Sequence, residues 1–499
     1  MELNERRGKS PTGKPSSGHR ESSLGTPGKQ DGQSRHKSDR PRRPAYDDKP
    51  GLEARMAASR LLAAVIDRKT SLDGMMDGDH GNPAYAALSE ADRGLVRAIL
   101  NTSLRFLPRI EAMLARLLDA PLPDGARALY HSLIVAAAQM VYLDVPDHSA
   151  VDLAVEQANR DPRSRRFAKL VNAVLRRLGR EKQALLADVE DVICMPDWFF
   201  ERLIAVYGEE EARRIAQAQL TPAAIDLTVK ADPAIWAEKL NGVVLPTGSI
   251  RLASFAGAVS ALPGFEEGAW WVQDAAAALP VRMFGAIEGK RAVDLCAAPG
   301  GKTAQLAAAG AVVTAVEQSA NRLKRLDGNL QRLGFSAQLV HQDLMEFTLG
   351  DDSAGGDDHP GFDAVLLDAP CSSTGTTRRH PDVFYTKGPQ DIVKLAGVQE
   401  RLLRHAVTLL APGGSIVFSN CSLDPQEGED VVARVLADHP ELERVAMQVA
   451  DWPGLEDAIT PLGEFRTTPA MLPGQAMLPG GDSHAGGLDG FYACRLRRV

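Results

Sequence analysis

No apolar run in the sequence approaches the ~18–20 residues that a membrane-crossing helix needs. The first residues mix Lys and Arg with Glu and Asp and lack an apolar core. Neither a secretory signal nor an amphipathic targeting peptide is expected. Only 5 cysteines occur in 499 residues, scattered and without a Cys-x-x-Cys pair. That argues against a disulfide framework and a structural zinc site, so no metal is expected and the expected compartment is a reducing cytoplasm. Aromatics are scarce, 5% against 44% hydrophobic residues, which fits an ordinary soluble α-rich or α/β protein. The length exceeds what one core serves, so two or three domains are expected.

Positive charge is also in short supply, with a net charge of −8, but its distribution matters more than its sum. Residues 1–50 carry 12 Lys/Arg against 7 Asp/Glu and almost no apolar residues. Such a segment cannot bury enough surface to offset ordering entropy and is expected to be a disordered basic tail. It reads either as a solubilising tail or as an arm that adds nonspecific attraction to RNA. A second basic cluster runs through Arg160, Arg163, Arg165, Arg166, Lys169, Arg176, Arg177, Arg180 and Lys182. Few acids interleave there, so a phosphate-binding face is favoured over a merely solvated one.

Residues 51–182 carry apolar positions at helical spacing. Segments from Leu52 to Ile66, from a Ser89 cap to Leu104, Pro108 to Leu118, Arg127 to Tyr142, Ala150 to Asn159 and Phe167 to Leu178 predict an all-helical domain. Residues 183–270 are mixed: one helical stretch from Met195 to Leu220, a strand over Ile225–Lys230 and short strands within Gly248–Leu262 make a small α/β module. After Asp274 an Ala-rich helix is expected. A last domain, 271–499, alternates strand and helix. Strands are expected at Arg291–Leu295, Ala311–Val316, Gln338–His341, Phe362–Leu367 and Ser415–Ser419. Helices are expected at Thr303–Ala309, Ala320–Leu333 and Asp391–Leu410, the last ended by Pro412-Gly-Gly414. This alternation implies a mostly parallel, doubly wound, Rossmann-like sheet whose ligands bind at the carboxyl ends of the strands.

The glycine turn after the first of these strands, Asp294-Leu-Cys-Ala-Ala-Pro-Gly-Gly-Lys-Thr303, lets backbone approach a ligand closely. A P-loop would need glycine where Cys296 stands, so the turn is not a P-loop and kinase or ATPase chemistry is not expected. Glu317, at the next strand end, suits a ribose diol, and Asp343, at the third, suits an adenine amino group. In register these acids describe an adenosyl ligand without a phosphate tail, S-adenosyl-L-methionine, with the turn Cys296, Ala297, Ala298, Pro299, Gly300, Gly301 and Lys302 beside it.

The most specific stretch is Asp368-Ala-Pro-Cys-Ser-Ser-Thr-Gly375, followed by Arg378-Arg-His-Pro-Asp382. Amino-group methyltransferases of this fold place an apolar or aromatic residue where Cys371 stands. A second cysteine, Cys421, lies in Ser419-Asn-Cys-Ser422 at the neighbouring strand end. Two cysteines beside a cosubstrate pocket fit methylation of pyrimidine carbon 5. That carbon becomes nucleophilic only after a thiolate adds to carbon 6. One cysteine would attack and a second group would assist the elimination. Asp368 can bond the ring edge and stabilise the adduct.

These motifs resemble the RNA (cytosine-5)-methyltransferases of the Nop/Sun family. Ala54-Arg55, Asp92-Arg93 and Lys169-Leu-Val-Asn-Ala-Val-Leu-Arg176 resemble a NusB-like RNA-binding domain. The resemblance spans residue 52 to the C-terminus and implies transfer of methyl to a cytidine of 16S rRNA, naked or in a small-subunit particle, by a monomer. It implies Cys421 as nucleophile, Cys371 in product release, and Cys296–Lys302, Glu317, Asp343 and Asp368 around the cosubstrate. Asp489-Gly-Phe-Tyr492 also matches. The departures are Glu317 in place of the usual Asp, Asn420 where Thr is common, Gly428 in place of Asn, an Asp/Gly-rich insertion over 350–361 and a Met-Leu-Pro-Gly repeat within 469–487. The alternative is an RNA-binding assembly factor that keeps the fold without the chemistry; it would be expected to have lost a cysteine or the Ala-Pro-Gly-Gly-Lys turn, and both are present.

Overall fold

The computed structural model describes residues 49–77, 81–252, 257–349, 361–472 and 486–499, all within one unit, Lys49–Val499. The expected tail before Lys49, the insertion over 350–360 and residues 473–485 of the repeat lie outside the described residues.

Helices Leu52–Arg68, Glu90–Arg105, Leu107–Leu117, Arg127–Tyr142, Asp147–Arg160 and Ala168–Asp188 form the front bundle. Ser89 caps its helix by accepting the Asp92 amide at 3.1 Å. Leu133 to Met140 is buried throughout, so Arg127–Tyr142 is the central helix, and each of its buried large aliphatics contributes about 1.5–3 kcal/mol. The last helix continues beyond Leu178 to Asp188 because Leu185 and Val189 extend the same buried face.

The single helical stretch expected over 195–220 is two helices, Asp197–Tyr207 and Glu209–Ala218, parted at Gly208 with φ 81°. A small antiparallel sheet follows, with β1 Asp226–Val229, β2 Gly242–Val244, β3 Ile250–Leu252 and β4 Trp270–Val272 in the order β2-β3-β1-β4. No Ala-rich helix follows Asp274; only Leu279–Arg282 is helical. The Ala275 amide donates to Asp226 Oδ2 at 3.2 Å and the Ala276 amide to Asp274 Oδ1 at 2.8 Å. Buried carboxylates thus take amides whose helix-forming residue type predicted a helix.

The large sheet holds β5 Arg291–Leu295, β6 Val312–Glu317, β7 Gln338–His341, β8 Phe362–Asp368, β9 Leu410–Asn420, β10 Leu442–Arg444, β11 Phe465–Thr467 and β12 Phe491–Arg498. Its order is β10-β12-β9-β8-β5-β6-β7, with β11 also on β12. The run from β9 to β7 is parallel and doubly wound, whereas β12 pairs antiparallel with β9. Val293, Leu295, Leu367 and Phe418 enter one core, and Ala292, Leu366 and Val417 enter the opposite one. Both faces are therefore covered, as a parallel sheet requires. Pro412-Gly-Gly414 does not end the preceding helix, which stops at Thr408. It lies inside β9, where the register against β8 shifts between Phe362 and Ala364. Among the described residues no helix is long and apolar enough to cross a membrane.

Candidate active site

Parallel strands bring the ends of β5, β6, β7, β8 and β9 to one edge, and a cavity of about 410 Å3 opens there. Cys296, Ala298, Glu317, Asp343, Asp368, Cys371 and Cys421 all line it. Ala297, Pro299, Gly300, Gly301 and Lys302 do not; they shape the turn behind the wall. Gly300 has φ 100°, and a Cβ there would stand 3.0 Å from Leu326 Cγ, so glycine is required by close approach to the helix Ala320–Leu333. That helix secures the turn: Arg322 Nη2 donates to the Ala298 carbonyl at 2.6 Å, and Asn329 Nδ2 to the Pro299 carbonyl at 2.9 Å.

Lys302 acts as a strut. Its Nζ donates to Asp368 Oδ2 at 2.8 Å, while Ser419 Oγ donates to Oδ1 at 2.9 Å. Asp368 is thereby oriented from β9 and from the helix Gly301–Ala308. Glu317 is buried; Oε1 accepts the Ser319 amide at 2.9 Å, and Oε2 has no hydrogen-bond partner but pairs with Arg322 Nη1 at 3.4 Å. Asp343 Oδ1 accepts the Met345 amide at 2.9 Å. The apolar wall, Val316, Met345, Val398 and Leu402, is absent from the expected site. For Val398 and Leu402 the available signal was their four-residue spacing on one face of the helix Pro389–Thr408.

Cys371 and Cys421 Sγ lie 3.4 Å apart. The hydrogen bond with Cys421 holds the Cys371 thiol well above its ordinary range, and burial adds to the effect. Burial pushes the Cys296 thiol up to about 12, with repulsion from Asp368 and Asp294 behind it. Cys296 therefore stays protonated and is a poor nucleophile. Two residues passed over in the sequence stand behind the wall. Asp294 Oδ2 accepts from Thr303 Oγ1 at 2.6 Å. Glu427, fully buried, accepts from the Ser372 amide at 2.8 Å and from Ser422 Oγ at 2.6 Å, and burial raises its carboxyl above the usual range.

The departures noted above have local explanations. Asn420 faces its own loop, with Oδ1 accepting the Ser422 amide at 2.9 Å and Nδ2 donating to the Glu427 carbonyl at 2.6 Å. A Cβ at Gly428 would stand 2.9 Å from Tyr492 Cγ, so an asparagine there would collide with β12. In the basic cluster, Arg160, Arg177 and Lys182 pair with Glu156, Glu181 and Asp147, so the few acids neutralise part of it. Arg163, Arg165, Arg166, Lys169, Arg176 and Arg180 remain exposed. Among the described residues no cluster of His, Cys, Asp and Glu could hold a metal ion.

The NusB family model matches residues 52–180, and the model described as 16S rRNA methyltransferase RsmB/F matches residues 283–497. The chain is 35% identical over 423 residues to ribosomal RNA small subunit methyltransferase B of Sodalis glossinidius, across 81% of this chain and 93% of that protein. The protein of the same name from Vibrio vulnificus is 32% identical over 462 residues, across 88% of this chain and 98% of the relative. The crystal structure of PH0851 shares the fold, with a TM-score of 0.65 at 20% identity over 89% of this chain and 98% of that one. A NusB helical domain followed by a mostly parallel methyltransferase sheet, together with relatives spanning nearly the whole chain, places this protein in the 16S rRNA methyltransferase RsmB/F family.

Proposed function

We propose that the chain methylates carbon 5 of a cytidine in 16S rRNA through a covalent adduct between Cys421 and carbon 6. The observation that carries this reading is the pair of sulfurs 3.4 Å apart at adjacent strand ends within one cavity. The residues present fit S-adenosyl-L-methionine. Glu317 Oε2, which has an ion-pair neighbour in Arg322 but no hydrogen-bond partner, suits a ribose diol, Asp343 suits the adenine amino group, and the wall of Val316, Met345, Val398 and Leu402 suits a flat base. When bound, S-adenosyl-L-methionine supplies an electrophilic methyl group. Cys421 attacks carbon 6 as thiolate and sends electron density to carbon 5. Asp368, held by Lys302 and Ser419, accepts from the N–H at the ring edge once nitrogen 3 takes up a proton in the adduct, and so stabilises the adduct. The Cys371 thiol, 3.4 Å from the Cys421 sulfur, is placed to donate a hydrogen bond to that sulfur as it leaves carbon 6. Elimination passes the carbon-5 proton to solvent water and breaks the sulfur–carbon bond, whose electron pair returns to the Cys421 sulfur.

In this reading residues 51–182 bind RNA, 183–270 form a linker and RNA-binding module, and 271–499 catalyse. The exposed arginines of Arg163–Arg180 contact phosphates, and the target base leaves its stack to reach Cys421. The substrate is rRNA or a small-subunit particle, and the protein works as a monomer without a metal. Bisulfite sequencing of 16S rRNA from cells with and without the protein tests the product. Cys421→Ala is expected to abolish methylation and Cys371→Ala to accumulate a covalent protein–RNA adduct on denaturing gels. Normal methylation by Cys421→Ala refutes the assignment.

A further inference from the structure

The cavity wall does not itself explain why two sulfurs on separate strands meet. Cys371 follows β8, and Cys421 follows β9, 50 residues later. The link runs behind the wall. Ser372 comes directly after Cys371, and Ser422 directly after Cys421. Both side chains turn away from the cavity onto one buried carboxylate, Glu427. Glu427 Oε1 accepts the Ser372 amide at 2.8 Å and Gln399 Nε2 at 3.1 Å. Its Oε2 accepts Ser422 Oγ at 2.6 Å and Ser372 Oγ as well. Thr374 Oγ1 closes the mesh by accepting the Leu423 amide at 3.0 Å.

A carboxylate is suited to this position because it only accepts, and every neighbour pointed at it can donate. Glu427 does not line the cavity. It meets the two cysteine loops through Ser372 and Ser422, through Gln399, which also bonds the Pro370 carbonyl at 2.9 Å, and through its own carbonyl, which accepts Asn420 Nδ2. Beyond the hydrogen bond with Cys421 and burial, its charge also raises the Cys371 thiol. Because Ala and Gln both remove that charge, comparing the two isolates the geometry. We propose that Glu427 is a positioning residue that sets the spacing of Cys371 and Cys421. The proposal rests on the two-cysteine reading above, but its test does not depend on RNA chemistry.

The test is the rate at which diamide joins Cys371 to Cys421 in the full-length protein, read by mass spectrometry of the linked peptides. Each thiol loses a proton, one sulfur–sulfur bond forms, and the two electrons and two protons pass to the nitrogen–nitrogen double bond of diamide. Removing the bridge in Glu427→Ala is expected to slow the cross-link about 100-fold and lower kcat to a similar extent, the loss that misplacement by about 1 Å produces. The KM for RNA and the affinity for S-adenosyl-L-methionine stay unchanged. Glu427→Gln keeps an oxygen for the Ser372 amide and presents an amide donor to two hydroxyls that can accept, so it restores most of the rate. Should Glu427→Ala not fold, the double variant Ser372→Ala with Ser422→Ala removes the hydroxyl half of the bridge and is expected to slow the cross-link in the same direction. Cross-linking at the wild-type rate in Glu427→Ala or in that double variant overturns the proposal, as does a Gln variant as slow as the Ala variant. Normal methylation by Cys421→Ala would instead remove the two-cysteine reading and leave the cross-linking result standing.

Discussion

Asp294 shows how the site's chemistry is coupled to stability. Burial pushes its carboxyl up to about 7, the Thr303 hydroxyl pulls the other way, and repulsion from Asp368 adds to the rise. The folded pKa thus lies above the unfolded value of 3.8. The folded state binds the extra proton between these values, so the contribution is full below about pH 4 and is lost as pH rises through about 7. Asp294→Asn has no such proton. Relative to wild type, its unfolding free energy in urea is expected to improve from pH 4 to pH 7.5, by up to about 4 kcal/mol for about three pKa units. A difference that is flat with pH rejects this account. At this scale much was legible: Glu317, Asp343, Asp368, Cys371 and Cys421 all reach one cavity, because residues at successive parallel strand ends share an edge. Lys302 was legible as part of the turn but not as the strut under Asp368, because that contact crosses 66 residues.

Among the elements, the helix Ala168–Asp188 carries one buried and one basic face. Its exposed Arg176 and Arg180 sit one turn apart, the spacing at which two side chains can track a phosphate backbone. Replacing both by alanine is expected to weaken RNA binding and to reduce the slope of log affinity against log salt by about 1.5–2. Affinity for S-adenosyl-L-methionine should not change. An unaltered slope, measured by filter binding across a salt series, removes this face from the interface. Amphipathic helices of this length announce themselves by periodicity. The antiparallel strands β10, β11 and β12 did not, since β10 and β11 are three residues each and become strands only by pairing with β12. The same holds for Pro412-Gly-Gly414, which reads as a helix stop but is taken up as an irregularity in β9.

At the scale of the whole molecule, the segment after Cys371 ties the parts together. The Arg378 carbonyl accepts Arg105 Nη2 of the front bundle at 2.7 Å, Asp382 accepts the Leu72 amide at 3.0 Å, and Tyr385 donates to the Leu104 carbonyl at 2.9 Å. Arg379 lies between buried Asp274, before the large sheet, and buried Asp489, before β12. Arg379→Met strands both carboxylates without their cation and is expected to lower unfolding free energy by about 3–5 kcal/mol. Urea melts of wild type and variant at pH 7.5 measure this; a loss under about 1 kcal/mol, the range of an exposed pair, contradicts it.

The amino-acid sequence by itself determined the front helices, the alternation that makes a parallel sheet, the refusal of a P-loop and the place of two cysteines after adjacent strands. These depend on side-chain periodicity and on residue types within a few positions of one another. Only the tertiary structure decided that the Arg378–Asp382 motif is a buried junction, that Gly428 yields to Tyr492 and that Glu427 binds the serines beside both sulfurs. Each of those depends on the distance between chain segments far apart in sequence, and that distance is set by which strands pair and how the helices pack over them.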